Sequence, residues 1–311
     1  MKNVGVIGGG LIGASWAAIF SKSGFNVLVH DSHSEVFESF ESRVQLFLEE
    51  LKSIDDSINV EESLKRIKIN VTIEELCSSV NYIQESAPEI LSIKQELFAK
   101  LDNLASDDIV IASSSSAMPI SSITQNLRGQ HRCIIAHPAN PPHLIPCVEL
   151  CPSENTSQKT IEKTQEIFKS SGASIVNVRK EIDGFILNRL QGALLNEAVR
   201  LHEGGFASME DIDIALKHAL GIRWAFMGPF EIMDLNAPEG IKDSFSRYRT
   251  GIQNLAKQQN TVPSYSDEYL DKLDKEQRQR LAYQDRPDRI KKRNQMIALI
   301  RKLKLELGED V

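Results

Sequence analysis

A glycine-rich turn close to the amino terminus constrains the fold of this chain more than any other feature. The apolar run at residues 4–7 leads into Gly8-Gly9-Gly10-Leu11-Ile12-Gly13, and residues 14–23 then show the apolar spacing of a helix. In such a strand, turn and helix, Gly8 permits the tight turn and Gly10 lets backbone N–H groups approach a pyrophosphate. Gly13 lets the helix pack closely on the strand. The spacing predicts a dinucleotide-binding α/β fold.

A second apolar strand, residues 25–30, supports this prediction and indicates which dinucleotide binds. It ends at Asp31, about 20 residues beyond the glycines, where a carboxylate can accept from both ribose hydroxyls of the adenosine. The same charge would repel the 2′-phosphate of NADP, and no arginine follows closely to attract it. We therefore expect NAD as the cofactor. His30 and His33 flank Asp31 and are given no role.

Charge and hydropathy disfavour several other classes of function. The chain has 36 Lys and Arg against 43 Asp and Glu, a formal charge of −7, and no long basic run for nucleic acid. No apolar run approaches the roughly 20 residues of a membrane span, and no export signal precedes the first strand. The expectation is a soluble cytoplasmic protein without a nucleic-acid or membrane partner. Four cysteines are too few for a disulfide framework, so we expect them reduced and mostly buried.

The order of elements predicts a doubly wound sheet with one insertion. Helical patterns at 35–51 and 60–69, joined by turn residues, indicate an inserted helical hairpin over about 34–68. Further on, strand signals at 82–84 and 109–112 flank a helix over 91–101. We assign residues 1–181 to a Rossmann-type nucleotide-binding domain.

Beyond residue 182 the strand signals disappear and helices follow one another. The pattern predicts helices over 184–203 and 209–219, and a third from Phe230 onward. Residues 182–311 are thus predicted to form an all-helical substrate-binding and dimerisation domain. The charged segment after Thr261 reads as a solvated amphipathic helix with one packed face.

Polar residues that could carry chemistry follow several of the predicted strands. Glu89 and Lys94 lie just past a carboxyl edge, where they reach a cofactor or substrate or else form a surface salt pair. The serine run Ser113 to Ser116 follows the strand that ends at Ala112, and it faces the cofactor cleft or is only a polar loop.

A histidine in a proline-fixed loop is the candidate general base. His137-Pro-Ala-Asn-Pro-Pro connects two strands, and Glu149 lies on the second of them. A carboxylate bonded to one ring nitrogen leaves the other nitrogen free to take a proton from an alcohol. The alternative is a buried histidine that is merely satisfied by a neighbouring carboxylate. Cys147, Glu149 and Cys151 share one strand face, but a second cysteine pair is missing, so no metal is expected.

Several of these motifs together resemble the 3-hydroxyacyl-CoA dehydrogenase family. The resemblance rests on the glycine turn with Asp31, the serine run, His137 to Pro142 with Glu149, Asp-Gly-Phe-Ile-Leu-Asn-Arg-Leu at 183–190, and Leu-Gly-Ile-Arg-Trp-Ala-Phe-Met-Gly-Pro-Phe-Glu at 220–231. The last stretch is similar to the λ-crystallin branch, whose enzyme form is L-gulonate 3-dehydrogenase. The match extends to about residue 250.

The resemblance implies roles for individual residues. It makes His137 the catalytic base, Glu149 its partner, Ser116 a donor to the reacting oxygen, and Asn188 a helix residue that reaches in from the second domain. The family's NAD contacts fall on Leu11, Ile12, Asp31, Glu89 and Lys94, beside the three motif glycines. The family's usual threonine or asparagine in the serine loop is a serine here, so the choice of Ser116 rests on spacing. The family also implies a homodimer.

Arg223 is the residue that most constrains the substrate. CoA-using relatives present small or apolar residues in this stretch, whereas a guanidinium can pair bidentately with a free carboxylate. We therefore expect an L-gulonate-type 3-hydroxy acid first, a short (S)-3-hydroxyacyl-CoA second and L-carnitine third. Lys65, Arg66 and Lys68 in the hairpin would favour CoA or form a solvated helix face. From a different class, the fold could persist as a non-catalytic crystallin-like NAD-binding protein.

Overall fold

A computed structural model describes residues 3–309 and divides them into two compact units. The first unit comprises residues 3–189 and 293–309, and the second comprises residues 190–292. The elements are, in chain order, β1 (Asn3–Ile7), α1 (Leu11–Lys22), β2 (Asn26–His30), α2 (Phe40–Lys52), α3 (Val60–Lys65), β3 (Ile67–Lys68), α4 (Ile73–Ser79), β4 (Tyr82–Glu85), α5 (Leu91–Leu104), β5 (Val110–Ser113), α6 (Ile120–Ile123), β6 (Cys133–Pro138), β7 (Cys147–Cys151), α7 (Gln158–Ser170), β8 (Ser174–Asn177), α8 (Leu187–Glu203), α9 (Met209–Ala215), α10 (Gly221–Trp224), α11 (Pro229–Leu235), α12 (Ile241–Gln258), α13 (Asp267–Arg280) and α14 (Arg286–Glu306).

The first unit is built on one eight-stranded sheet. Its strand order is β3-β2-β1-β4-β5-β6-β7-β8, and every neighbouring pair is parallel except β6 and β7. The order reverses between β1 and β4, and in such sheets ligands bind outside the carboxyl ends of the strands at this point. The predicted Rossmann-type sheet is confirmed.

Apolar side chains fill both faces of the sheet. On one face Trp16, Phe20, Tyr82 and Phe168 form a cluster of stacked and edge-on rings. A second cluster on the other face includes Leu76, Ile83, Phe98, Leu101 and Ile111. Because strands buried on both faces are held from both sides, their carboxyl ends form a rigid support for the residues that follow them.

The predicted hairpin is present, but its second helix is shorter than expected. Helix α3 ends at Lys65, and Ile67 and Lys68 pair in parallel with Val27 and Leu28 as an edge strand. The predicted helix over 60–69 is therefore wrong in its last residues, because ladder bonds to β2 replace helical ones. Likewise, helix α8 begins at Leu187 rather than at residue 184, since Gly184 and Phe185 have positive φ angles.

The last helix returns to the first unit. Asn294 Nδ2 donates to Glu50 Oε1 at 2.9 Å, and the Arg301 guanidinium donates to the carbonyl oxygens of His143 and Leu144. Ala298 packs in the same region, beside Leu144. Residues 293–309 thus belong to the first compact unit, whereas the predicted boundary at 181/182 assigned them to the helical domain. That domain boundary stays a prediction.

The second unit contains helices only. A short π-helical segment, Leu216–Leu220, interrupts the predicted helix over 209–219 and leads into α10. Inside the unit, His202 bonds to the Tyr269 hydroxyl at 2.9 Å and to Glu276 at 2.8 Å. Across residues 3–309, none of the helices combines the length and the hydropathy needed to cross a bilayer.

The four cysteines are free, and three of them are buried. Cys147 is the half-buried one. Within residues 3–309 no three His, Cys, Asp or Glu side chains are grouped so that they could hold a metal ion.

Candidate active site

The glycine turn leaves open space where a phosphate would approach. Gly8 has a φ of +98°, and a Cβ there would lie 2.6 Å from the carbonyl oxygen of Ser86. A Cβ on Gly13 would collide with the carbonyl oxygen of Gly8, so these two glycines are required by the fold itself. By contrast, a Cβ on Gly10 would meet nothing within 4 Å. Gly10 is the N-cap of the twelve-residue helix α1, whose free N–H groups favour an anion.

Asp31 is held at the end of β2 by two backbone N–H groups. Its Oδ2 accepts from Gly9 at 2.7 Å and its Oδ1 accepts from His33 at 2.9 Å. An ionised carboxylate can accept about four hydrogen bonds, so both oxygens still have room for ribose hydroxyls. Leu11, half exposed, and Ile12, partly buried, form the first turn of α1 beside it. Together with the open face at Gly10, these residues fit NAD.

A buried ion cluster lies next to this cradle. Lys94 is only 1% exposed, and its ammonium contacts Glu85 Oε1 at 2.8 Å, the Ala87 carbonyl oxygen at 3.2 Å and Glu89 Oε2 at 3.4 Å. The alternative prediction of a salt pair on the surface is therefore wrong for Lys94. Lys94 donates hydrogen bonds to Glu85 and to the Ala87 carbonyl group, and its ion pair with Glu89 holds that carboxylate in place. A contact of Lys94 with NAD stays a prediction. Glu85 is fully buried, and the sequence analysis misses it; the signal for it is its position at the carboxyl end of β4.

Glu89 organises the serine loop. Its Oε1 accepts from the Ser115 hydroxyl at 2.6 Å and from the Ser116 N–H at 2.8 Å. Burial opposes ionisation of this carboxyl group, but these bonds and Lys94 outweigh it and lower the pKa of Glu89. The loop is therefore anchored to a charged group rather than left as a solvated polar turn.

The four serine hydroxyls are not equivalent. Ser113 bonds to Glu85, Ser114 receives bonds from Trp16 and Gln84, and Ser115 bonds to Glu89. Within the described chain, the Ser116 hydroxyl has only a long contact, 3.4 Å to Glu89. Of the four, it is the hydroxyl with the most bonding capacity left for a ligand.

His137 and Glu149 form a close buried pair. The strands β6 and β7 are antiparallel, and their register sets these two residues directly opposite each other. His137 Nδ1 lies 2.7 Å from Glu149 Oε2, while Oε1 accepts from the N–H groups of Ile186 and Leu187, each at 2.8 Å. Burial opposes ionisation of Glu149, yet the bonds from His137 and the two amides lower its pKa.

This pairing fixes which nitrogen of His137 is basic. An ionised carboxylate only accepts, so the proton of the neutral imidazole stays on Nδ1 and Nε2 keeps its lone pair. Nε2 has no hydrogen-bond partner among residues 3–309. The arrangement can therefore accept a proton from a bound hydroxyl group.

Asn188 joins the serine loop to the start of α8. Its Nδ2 donates to the carbonyl oxygen of Ser116 at 2.7 Å, and both residues lie in the first unit. That bond orients the amide and leaves its oxygen for a ligand. Arg223 is exposed in α10 of the second unit, and among the described residues its side chain has no ion pair.

Most of the chain is similar in sequence to known dehydrogenases. The profile of the 3-hydroxyacyl-CoA dehydrogenase NAD binding domain matches residues 3–182, and that of the C-terminal domain matches residues 184–280. The lambda-crystallin of Oryctolagus cuniculus is 38% identical over 271 residues, which cover 86% of this chain and 85% of that protein. The L-carnitine dehydrogenase of Streptomyces coelicolor is 33% identical, covering 77% of this chain and 75% of that protein.

Solved structures agree with these relatives. A 5-formyl-3-hydroxy-2-methylpyridine 4-carboxylic acid 5-dehydrogenase, described as an NAD⁺-dependent dismutase, superimposes with a TM-score of 0.75 at 25% identity, covering 97% of this chain and 98% of its own. The 3-hydroxybutyryl-CoA dehydrogenase of Escherichia coli K12 gives a TM-score of 0.66 at 28% identity, covering 75% of this chain and 49% of its own. With its dinucleotide cradle, this chain belongs to the 3-hydroxyacyl-CoA dehydrogenase family and is an NAD-dependent dehydrogenase.

Proposed function

We propose that the protein oxidises the 3-hydroxyl group of an L-3-hydroxy acid to the 3-keto acid. The observation that carries this proposal is His137 Nε2, which has no partner among the described residues, while the other nitrogen is fixed by Glu149 at 2.7 Å. When bound, NAD accepts the hydride from the carbinol carbon. His137 Nε2 takes the hydroxyl proton, and Glu149 stabilises the imidazolium that forms.

Two further side chains position the substrate oxygen. The Ser116 hydroxyl donates to it, and the Asn188 amide, oriented by the Ser116 carbonyl group, contacts a neighbouring oxygen. In the reverse direction the imidazolium returns its proton to the oxygen as charge develops there. One set of residues thus serves both directions of the reaction.

The substrate we propose is a free acid of the L-gulonate type. Arg223 is exposed and free of ion pairs within the described chain, so its guanidinium is available for a carboxylate. In the hairpin, by contrast, Lys65 pairs with Glu61 and Glu62, and Lys68 pairs with Glu75. These pairs make Lys65 and Lys68 less available for the phosphates of CoA, whereas Arg66 has no ion pair in the described chain. Sequence similarity to lambda-crystallin, at 38% identity, is in line with this choice.

A short 3-hydroxyacyl-CoA is the second candidate, and L-carnitine the third. The CoA thioester is favoured by similarity to a 3-hydroxyacyl-CoA dehydrogenase of Gibberella moniliformis, 33% identical over 81% of this chain. L-Carnitine is favoured by similarity to the L-carnitine dehydrogenase of Streptomyces coelicolor. The homodimer stays a prediction, supported by large apolar side chains exposed on the second unit, among them Phe206 and Phe230. The cytoplasmic location likewise stays a prediction.

NADH formation with L-gulonate, (S)-3-hydroxybutyryl-CoA and L-carnitine, under identical NAD and pH, tests the proposal. We expect the highest kcat/KM with L-gulonate and a loss of activity in His137→Ala. Arg223→Ala should lower kcat/KM more for L-gulonate than for the thioester, by about 2 kcal/mol or roughly 30-fold for a lost charged pair. Equal losses on both substrates would contradict the carboxylate role. A wild type that binds NAD but oxidises none of the three would favour the non-catalytic alternative.

A further inference from the structure

Two consecutive residues with positive φ precede helix α8. Gly184 has a φ of +73° and Phe185 a φ of +48°. Glycine adopts such angles freely, but for a bulky side chain this conformation is rare and costs free energy. Phe185 is nevertheless completely buried. Surrounding contacts must therefore hold it there, and residues held in this way concentrate at functional sites.

The turn directs two amides at the carboxylate of the His137 and Glu149 pair. Immediately after Phe185, the N–H groups of Ile186 and Leu187 both donate to Glu149 Oε1 at 2.8 Å. The Phe185 N–H itself donates to the carbonyl oxygen of Ile182 at 3.0 Å and closes the turn. Because Oε1 is fully engaged, Oε2 is left to face His137. A helical start at residue 184 would orient these peptide planes differently.

The side chain at the turn contacts the other member of the pair. The Phe185 ring centroid lies 5.6 Å from that of the His137 ring, with an interplanar angle of 48°. Both residues are buried, so the phenyl ring excludes water from one side of the imidazole. The same two-residue turn therefore touches Glu149 through the backbone that follows it and His137 through its side chain.

We propose that Gly184 and Phe185 are positioning residues of the dehydrogenase reaction. Their left-handed turn fixes the Glu149 carboxylate by its two amides and the orientation of His137 by the phenyl ring. The turn lies where the match to the NAD binding domain ends, at residue 182, and the match to the C-terminal domain begins, at residue 184. The inference rests on the proposed role of His137 as the base.

The first test compares two glycine variants with the same intrinsic backbone cost. Gly172 has a φ of +76° in the turn after α7, and a Cβ there meets nothing within 4 Å. At Gly184 a Cβ would also find ordinary contacts, the nearest being Asn188 Cβ at 3.5 Å. Gly184→Ala and Gly172→Ala should therefore lower the melting temperature to a similar extent. Only Gly184→Ala should also disturb the pairing of His137 with Glu149.

The readouts separate positioning from general structure. In Gly184→Ala we expect kcat to fall about ten-fold, equivalent to about 1.4 kcal/mol in the barrier, with the Kd of NAD within two-fold of wild type. The low-field proton resonance of the His137 to Glu149 bond, assigned by its loss in His137→Ala, should shift or broaden. In Gly172→Ala, kcat and this proton resonance should stay as in the wild type. Equal behaviour of the two glycine variants would overturn the proposal.

Phenylalanine variants give a second test in case Gly184→Ala does not fold. Phe185→Leu removes the ring beside His137, and Phe168→Leu removes an equally buried ring from the core cluster. We expect kcat to fall roughly three-fold or more in Phe185→Leu alone, and equal kcat values would overturn the ring's role. If His137→Ala keeps the wild-type rate, the proposed function and this inference fail together. If His137→Ala is inactive and the turn variants match their controls, only the inference fails.

Discussion

Replacing Glu149 by glutamine tests the role of the carboxylate with almost no change in shape. The amides of Ile186 and Leu187 both donate to Oε1, so the glutamine must turn its carbonyl oxygen toward them. Its NH₂ group then faces His137 Nδ1 across the 2.7 Å contact. Two donors cannot face each other, so the imidazole must move its proton to Nε2. The nitrogen that should accept the substrate proton would then carry one.

The expected loss of activity follows from this change of tautomer. Freezing a catalytic imidazole in the wrong tautomer costs about 10⁴-fold in kcat in the serine protease triad. We expect about 10³- to 10⁴-fold for Glu149→Gln, equivalent to about 4–5.4 kcal/mol in the barrier. NAD affinity should hardly change, because the dinucleotide cradle is formed by β1, α1 and β2.

A second histidine and glutamate pair provides the control. His143 Nε2 lies 2.7 Å from Glu50 Oε2, so Glu50→Gln removes a carboxylate from a pair of the same length. The assay is the initial rate of NADH formation at saturating NAD, with thermal unfolding of each variant measured in parallel. We expect Glu50→Gln to retain activity within a few-fold. A Glu149→Gln enzyme within ten-fold of the wild type would refute the tautomer argument.

Three other predictions concern the cradle, acid stability and the thiols. Gly13→Ala should destabilise the fold because its Cβ would strike the Gly8 carbonyl group, whereas Gly10→Ala should fold normally and bind NAD more weakly, as titrations and melting curves would reveal. Asp102→Asn should destabilise by about 2–3 kcal/mol at neutral pH. Burial raises the pKa of Asp102, but the bonds from Arg132 and two amides outweigh burial and lower it overall. The stability that Asp102 contributes is therefore present above its ordinary pKa of 3.8 and is lost as the pH falls through the lower pKa of the folded state. Denaturant titrations at several pH values should show the difference in stability between wild type and Asp102→Asn shrinking in acid. Iodoacetamide at pH 8, about half a unit below the usual cysteine pKa, should alkylate half-buried Cys147 first. Burial raises the pKa of all four thiols, but it raises those of Cys77, Cys133 and Cys151 to about 11 or 12, and Cys147 is the least buried. Equal labelling by mass spectrometry would contradict this.

Local steric signals explain why the start of the fold was predictable. Gly13 is required because its Cβ would meet the carbonyl oxygen of Gly8, five residues earlier. Gly8 is required because its own φ of +98° is a conformation that glycine alone adopts freely. The sequence therefore predicts this turn and its strand and helix to within a few residues. The edge strand at Ile67 and Lys68 depends instead on pairing with β2, some 40 residues earlier. A strand of two residues is too short to show a periodic pattern, so the sequence predicts a helix for this segment.

In the candidate site, too, contacts between neighbouring elements are predictable from the sequence, and contacts that depend on distant segments are not. The pairing of His137 with Glu149 follows from two adjacent strands, and the sequence alone predicts it. The burial of Lys94 between Glu85 and Glu89 does not follow, because burial of a charged group depends on all of its surroundings. A helical start at residue 184 was predicted from apolar spacing, and the contacts to Glu149 and His137 that favour a left-handed turn come from distant segments.

The two histidine and glutamate pairs also explain why pairing alone does not identify a catalytic base. Both have nitrogen to oxygen distances of 2.7 Å and a buried histidine. In the second pair the remaining nitrogen, His143 Nδ1, is 3.2 Å from the Ser15 hydroxyl, and the Phe47 ring stacks on the imidazole. Both nitrogens of His143 are therefore used in packing α1 and α2 together. His137 keeps one nitrogen without a partner in the described chain, and a nitrogen left free in this way can perform proton transfer.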